Sequence, residues 1–194
     1  MSNERPWLEN YPAGVPEQID VGQYASVPAV LEEAFTRFRG RPAFSSFGRQ
    51  LSYGQIDEMS RQFAGYLTGV LKLGKGDRIA IMMPNVLQYP IALFGALRAG
   101  LVVVNTNPMY TARELKHQLD DAGAKAIVVL DNFAGTLQHV VAETQVQHVI
   151  TTGIGDLLGF PKGALINFVL KHVKKMVPAF DLPQAVRFRD ALAR

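Results

Sequence analysis

Four short apolar runs, separated by segments with helical periodicity, dominate the middle of the chain. The runs occupy residues 78–83, 101–105, 125–130 and 147–152 and are rich in Val and Ile. Such runs favour β-strands, and neighbouring parallel strands require a crossover that is usually helical. Apolar residues on both alternations are typical of strands that helices cover on both faces. The pattern therefore predicts an α/β fold with a doubly wound, mostly parallel sheet.

The segments between these runs predict three crossover helices. The first covers about residues 86–99, although Pro90 is tolerated only in a first turn and moves the expected start two residues along. The second begins at a capping box that starts with Thr111. The third covers about residues 133–143.

The part of the chain before the sheet predicts an extended arm, a helix and a small β-hairpin. Residues 1–25 lack periodicity, so they form either a disordered tail or an arm that docks through its large apolar side chains, Trp7, Leu8, Tyr11 and Ile19. A helix follows, with Ser26 as its N-cap. Two short strands flank Gly48 and Arg49, which predicts a hairpin with a type II′ turn. A capping box at Ser52 begins a long second helix.

A basic amphipathic helix is predicted at residues 162–177. Its apolar arc includes Phe168, and the opposite side carries Asn167, Lys171, Lys174 and Lys175. Phe168 and the three lysines suit a membrane interface, where lysines meet anionic headgroups and the apolar face enters the acyl region. The alternative is a helix packed on its own domain, with its lysines in water.

These elements divide the chain into four expected parts. They are an N-terminal arm, an α/β domain, a basic-helix insertion and the start of a next segment that stops in mid-pattern, at residues 1–25, 26–154, 155–182 and 183–194 respectively.

Composition narrows the class of protein further. The 194 residues include no cysteine, which excludes disulfides, thiolate metal sites and a cysteine nucleophile. The net charge of +3 is too small and too dispersed to indicate nucleic-acid binding. No signal peptide and no apolar run of about 20 residues is visible. The four histidines are scattered, so no metal site is predicted.

Two glycine-rich stretches come close to nucleotide-binding motifs without completing them. Residues 69–76 match a P-loop except at the last position, and they close a helix instead of following a strand. Residues 153–159 follow a strand, but the third glycine is one place late for a dinucleotide fingerprint. A nicotinamide-dependent enzyme is thus a weak hypothesis, and no catalytic residue is assigned to this chain.

The amino-acid sequence of the first two central crossovers is more specific than these short motifs. Met83-Pro-Asn-Val-Leu-Gln-Tyr-Pro90 and Asn105-Thr-Asn-Pro-Met-Tyr110, with the residues that follow each, resemble bacterial long-chain fatty-acyl-CoA synthetases of the adenylate-forming superfamily. The resemblance extends over essentially the whole chain.

This resemblance implies a two-step reaction. A fatty acid attacks ATP in the presence of Mg²⁺, and CoA then displaces AMP from the acyl-adenylate, for fatty acid uptake and degradation. It also implies a cytoplasmic enzyme, peripheral on the inner face of the membrane. The phosphate-binding loop, ribose-binding aspartate and catalytic lysine of the family are absent. The chain is therefore expected to be the N-terminal third of such an enzyme and to be inactive alone.

Within this interpretation, Asn107, Pro108 and Tyr110 are the candidate contacts on the CoA side. They follow the carboxyl end of a strand, where open α/β sheets bind ligands. The alternative is a structural strand-to-helix turn. Beyond the enzyme, a non-catalytic membrane- or partner-binding module is the second hypothesis. An open sheet edge would also favour a homodimer.

Overall fold

A computed structural model describes residues 5–193 of the chain. The strands are β1 (Pro42–Ser46), β2 (Arg49–Ser52), β3 (Arg78–Met82), β4 (Val102–Asn105), β5 (Ala124–Leu130), β6 (His148–Thr152) and β7 (Val186–Arg187). The helices are α1 (Val27–Arg37), α2 (Tyr53–Gly65), α3 (Gln88–Arg98), α4 (Ala112–Ala122), α5 (Ala134–Gln138), α6 (Lys162–Phe168) and α7 (Phe188–Leu192). β1 and β2 form an antiparallel hairpin, and the other strands form one parallel sheet in the order β4-β3-β5-β6-β7.

Helices cover both faces of the parallel sheet, as strand β3 illustrates. Ile79 and Ile81 enter the core that β3 shares with α2, α3 and α7. Ala80 and Met82 point the opposite way, into the core shared with α4 and α5. All four side chains are buried, because alternate residues of a strand face opposite sides of the sheet. The predicted doubly wound α/β fold is confirmed.

Side-chain caps begin three helices at the predicted positions. Ser26 Oγ accepts a hydrogen bond from the amide of Ala29 ahead of α1. Reciprocal capping boxes at Ser52–Gln55 and Thr111–Glu114 begin α2 and α4. Such caps satisfy amide groups that have no partner within the helix.

The hairpin turn lies one residue earlier than its prediction. Ser46 pairs with Arg49, so the two turn residues are Phe47 and Gly48. Their φ angles of 49° and 72° are both positive, which defines a type I′ turn. The predicted type II′ turn at Gly48 and Arg49 is therefore wrong, because the strand pairing places Arg49 in β2.

Two further elements differ from the expected pattern. The third crossover is not one helix, since α5 is flanked by 3₁₀ turns at Asp131–Phe133 and Val141–Glu143. The sheet also gains a fifth strand, β7, and the following Phe188 is buried in the main core. A two-residue strand is too short for its periodicity to be recognised.

The N-terminal arm does not bury the side chains predicted to anchor it. It contains a 3₁₀ turn at Pro6–Asn10, in which Trp7 is exposed and Leu8 is half-buried. Tyr11 and Ile19 are also exposed. Within residues 5–25, the predicted docking is therefore not seen.

An ion-pair cluster joins α1, α2 and α3. Asp57 Oδ1 accepts hydrogen bonds from Arg98 at 2.6 Å and from Arg61 at 2.8 Å. The same two arginines contact Glu32 of α1. The side chains of Arg98 and Asp57 are only 8% and 12% exposed. Burial raises the pKa of Asp57, but the hydrogen bonds from Arg98 and Arg61 outweigh it and hold that pKa below its ordinary value of 3.8.

Candidate functional site

A polar cavity of about 290 Å³ opens at the carboxyl ends of β3 and β4. Its lining residues come from the ends of these strands and from the start of α3: Ile81, Met83, Asn85, Tyr89, Asn105, Thr106 and Asn107. The Tyr89 hydroxyl donates to Asn105 Oδ1 at 2.9 Å and ties α3 to β4 across the cavity. Carboxyl ends of parallel strands are where open α/β sheets bind ligands, so this cavity is the candidate site.

The three residues predicted on the CoA side take different positions. Asn107 lines the cavity and is exposed. Its Oδ1 also accepts a hydrogen bond from the amide of Met109 at 3.0 Å, which shapes the turn. Pro108 and Tyr110 are half-buried and outside the cavity lining, and Tyr110 packs against the core beneath α4. The geometry brings only Asn107 to the cavity.

A network of polar side chains lies at the same carboxyl end of the sheet, after strands β5 and β6. The Arg187 guanidinium donates to both carboxylate oxygens of Asp131, at 2.8 and 3.0 Å, and to Asp156 at 3.1 Å. It also donates to Thr151 Oγ1 at 3.0 Å. Burial lowers the pKa of Arg187, but the bonds to Asp131 and Asp156 outweigh it and raise that pKa overall. Arg187 thus fastens the ends of three neighbouring strands together as a fixed cation.

Gln88 links this network to the first turn of α3. Its Nε2 donates to Thr152 Oγ1 at 3.1 Å and to the carbonyl of Gly153 at 2.8 Å. Gln88 is fully buried, and its Oε1 has no hydrogen-bond partner among residues 5–193. Sequence reasoning missed Gln88, Asp131, Asp156 and Arg187. A signal was available for three of them, because Asp131 directly follows β5, and Gln88 and Asp156 lie in the helical turns after β3 and β6. Arg187 is the last residue of β7, a strand too short to be recognised.

The glycine-rich loop after β6 packs against α6. The Gly155 amide donates to Asn167 Oδ1 at 2.8 Å, and the Gly153 amide donates to Asp156 Oδ2 at 2.8 Å. A Cβ on Gly155 would lie 2.2 Å from the carbonyl oxygen of Gly163. These glycines therefore permit close helix packing, and the two amides already have partners. That arrangement argues against a dinucleotide fingerprint, which leaves loop amides free for a phosphate.

The basic helix is shorter than predicted. α6 continues as a π-helical turn at Val169–Val173, and Lys175 with φ 52° ends it before the expected residue 177. Asn167 does not lie with the lysines as predicted, because its side chain bonds the loop after β6. Phe168 is 57% exposed, and the three lysines of the predicted membrane interface, Lys171, Lys174 and Lys175, are exposed as well.

Among residues 5–193, no three His, Asp or Glu side chains come together in an arrangement that would hold a metal ion. No helix of residues 5–193 combines the length and apolar character that crossing a bilayer requires.

The architecture is that of CoA ligases whose structures have been solved. An anthranilate CoA ligase, AuaEII, in complex with anthranoyl-AMP superimposes with a TM-score of 0.69 at 15% identity, over 88% of this chain and 28% of that protein. A Mycobacterium tuberculosis fatty acyl CoA synthetase gives a TM-score of 0.60 at 26% identity, over 64% of this chain and 26% of that one. The fold is thus that of the parallel-sheet portion of these CoA ligases.

The sequence matches the AMP-binding enzyme family over residues 31–188, so the chain belongs to this family. A long-chain-fatty-acid–CoA ligase from Yersinia pestis is 53% identical over 98% of the chain. The resemblance found in the sequence is confirmed. The chain spans about a third of the length of the curated relatives it matches, 34% in that case.

Proposed function

We propose that this chain supplies the N-terminal scaffold of a long-chain-fatty-acid–CoA ligase. The carrying observation is the 53% identity to the Yersinia pestis ligase over 98% of the chain. In the proposed reaction, the fatty acid carboxylate attacks the α-phosphate of ATP, giving an acyl-adenylate and pyrophosphate. The CoA thiol then attacks the acyl carbonyl and AMP leaves. The product, a fatty acyl-CoA, then enters the degradation of fatty acids that the cell has taken up.

In this proposal the chain positions substrates and leaves the chemical steps to other residues. Neither glycine-rich stretch is built to cradle a phosphate, since one closes a helix and the other packs on α6. ATP requires Mg²⁺ in this reaction, and Mg²⁺ is usually held by one or two carboxylates together with the phosphates of the substrate. We assign no Mg²⁺ contact and no catalytic step to this chain.

The cavity between β3 and β4 supports the proposed CoA contact. Amide side chains of Asn85, Asn105 and Asn107 line it, and such groups donate hydrogen bonds to phosphate and carbonyl oxygens of the kind that CoA carries. Asn107 is the proposed direct contact. Pro108 and Tyr110 would act by holding the turn that presents Asn107.

The exposed surface of α6 supports the proposed peripheral contact with the cytoplasmic face of a membrane. Lys171, Lys174 and Lys175 would meet anionic headgroups, and Phe168 would enter the apolar region. The supporting observation is that both kinds of side chain are exposed together. Changing all three lysines to Glu should abolish flotation with anionic vesicles, and unchanged flotation would refute the contact.

A homodimer through the open edge of β4 is a further part of this proposal, because edge strands offer unpaired backbone groups. Val102 on β4 is largely exposed. Light scattering coupled to size exclusion would test it, and a monomer at all concentrations would refute it.

The prediction that the isolated chain catalyses neither step of the reaction can be tested directly. Incubation with ATP, Mg²⁺, oleate and CoA should yield no oleoyl-CoA, because the sequence does not contain the phosphate-binding loop of the family. Turnover above the rate without protein would overturn the proposed division of labour. A non-catalytic binding module would also be inactive, and the two are separated by whether the chain supports catalysis when joined to the rest of a ligase.

A further inference from the structure

The tip of the β1-β2 hairpin carries an unusual residue for its conformation. Phe47 occupies the first central position of the type I′ turn with φ 49°, and its side chain is 54% exposed. This left-handed region is strained for a bulky residue, and type I′ turns strongly prefer Asn-Gly. A residue that is unfavourable for the turn and exposed to water indicates a role other than folding.

The hairpin tip lies beside the loop that leads into α6. Lys162 Nζ donates a hydrogen bond to the carbonyl of Phe47. On the other side of the turn, the Arg49 guanidinium lies 3.3 Å from where a Cβ on Gly159 would be. The next residue, Phe160, is 91% exposed. Two exposed phenylalanines from distant parts of the sequence thus lie in neighbouring segments, and the cations Arg49 and Lys162 lie where these segments contact each other.

This surface continues along α6. The exposed large apolar side chains of the loop, the helix and the residues just after it are Phe160, Leu165, Phe168, Val173 and Met176. Residues 157–180 contain four lysines and no Asp or Glu. An exposed apolar patch of this extent, in a stretch with charges of one sign only, is typical of contact with an anionic lipid surface.

We propose that Phe47 and Phe160 are paired insertion points that extend the α6 surface into one docking face for an anionic bilayer. The proposal rests on the peripheral membrane contact proposed above and adds the hairpin to it. Aromatic rings are favoured at the boundary between headgroups and acyl chains, and lysines behind them contact the phosphates. The backbone strain at Phe47 is then retained because its side chain is needed for binding to the bilayer.

This proposal predicts opposite effects of one substitution on folding and on binding. Phe47→Asn creates the Asn-Gly pair that type I′ turns favour, so the free energy of unfolding should stay the same or rise. The same substitution removes an inserting ring, and partition into anionic vesicles should weaken about tenfold. If Phe47 served folding alone, the substitution would not weaken vesicle binding while the free energy of unfolding stayed the same or rose.

The test is co-sedimentation of the 194-residue chain with phosphatidylcholine–phosphatidylglycerol vesicles, with pure phosphatidylcholine vesicles for comparison. Phe47→Asn and Phe160→Ser should each weaken binding, whereas Phe47→Leu keeps an apolar side chain at the same position and should bind nearly normally. Val70→Thr, which changes an exposed residue outside the hairpin and α6, is the matched surface control. Urea unfolding reports the stability of each variant.

The outcomes separate this inference from the one beneath it. If Phe47→Asn and Phe160→Ser bind normally while the triple lysine-to-Glu variant does not, the lysine contact stands and the hairpin insertion is refuted. If the unsubstituted chain does not bind anionic vesicles, both are refuted. Weakened binding of the two phenylalanine variants, with normal stability and a normal Val70→Thr control, would support the proposal.

Discussion

Asp57 and Glu32 together link three helices through the arginines Arg61 and Arg98. Arg98 is almost fully buried in α3, and its charge is compensated by Asp57 and Glu32. The Arg98 guanidinium also lies 5.1 Å from the ring centre of Phe35, in α1. Removing one partner of a buried pair is costly, because the remaining charge is left without compensation.

Asp57→Asn should therefore lower the free energy of unfolding by about 2 kcal/mol. The folded-state pKa of Asp57 lies below its ordinary value of 3.8, so the stabilisation is complete above that value. It is lost as the pH falls through the folded-state pKa. Urea unfolding between pH 7 and pH 3 would check this, and the difference between the two proteins should shrink at the acid end. A constant difference across that range would contradict the ion-pair explanation.

Asn107 is the residue through which the CoA contact is tested. In a catalytically active ligase that contains this chain, Asn107→Ala should raise KM for CoA about tenfold and leave KM for oleate unchanged. Met109→Ala, which changes an exposed neighbour outside the cavity lining, is the control. The readout is initial-rate kinetics with each substrate varied in turn.

Asn107→Asp separates the contact from the turn. Aspartate keeps the acceptor that bonds the Met109 amide, so the turn is retained, but it places a negative charge towards the CoA phosphates. A normal KM for CoA in this variant, together with a raised KM in Asn107→Ala, would show that Asn107 serves only the turn.

The residue roles that could be predicted from the sequence are those that depend on contacts between residues close together in the chain. The caps at Ser26, Ser52 and Thr111 act within three residues, and all were predicted correctly. Arg187 and Asp131 are 56 positions apart, and only the completed sheet brings them together. No local pattern encodes such a pair.

At the scale of elements, the close contact between Gly155 and Gly163 fixes α6 to the sheet. A Cβ on Gly163 would lie 2.1 Å from the carbonyl oxygen of Gly155, and backbone on both sides leaves no flexible group to move. The helix also bonds the loop through Asn167, which contacts the Gly155 amide and Asp156.

Gly163→Ala should consequently loosen α6 and lower the free energy of unfolding by about 3 kcal/mol. Gly65→Ala is the matched control, since Gly65 is an exposed glycine in α2 with no atom within 4 Å of the added Cβ. That substitution should raise stability by about 0.5–1 kcal/mol. Urea unfolding and amide hydrogen exchange in residues 162–173 measure both, and equal behaviour of the two variants would contradict the packing argument.

Element prediction succeeded where periodicity and caps agreed, as in α2 and α4. It failed where tertiary contacts decide the conformation. The turn at Phe47 is set by the strand pairing, and β7 exists only because β6 offers its edge. The predicted helix over residues 133–143 is interrupted between α5 and the 3₁₀ turn that follows.

At the scale of the whole molecule, polar side chains gather at the carboxyl end of the parallel sheet. Helices on both faces fix the positions of the strand ends, and the cavity and the polar network both lie at those ends. The parallel sheet and the family could both be predicted, because the amino-acid sequence of residues 83–110 is specific to that family. Which side chains meet at the carboxyl end of the sheet could not be predicted, since that depends on the strand order β4-β3-β5-β6-β7.

The most direct test of the proposed function is to exchange scaffolds. The chain would replace the corresponding segment of the Yersinia pestis long-chain-fatty-acid–CoA ligase, which it matches at 53% identity, and oleoyl-CoA formation from oleate, ATP and CoA would be measured. We expect the chimera to form oleoyl-CoA at a rate comparable with the parent ligase, and to form none without ATP. A soluble, cooperatively folded chimera that forms no oleoyl-CoA would contradict the proposed function.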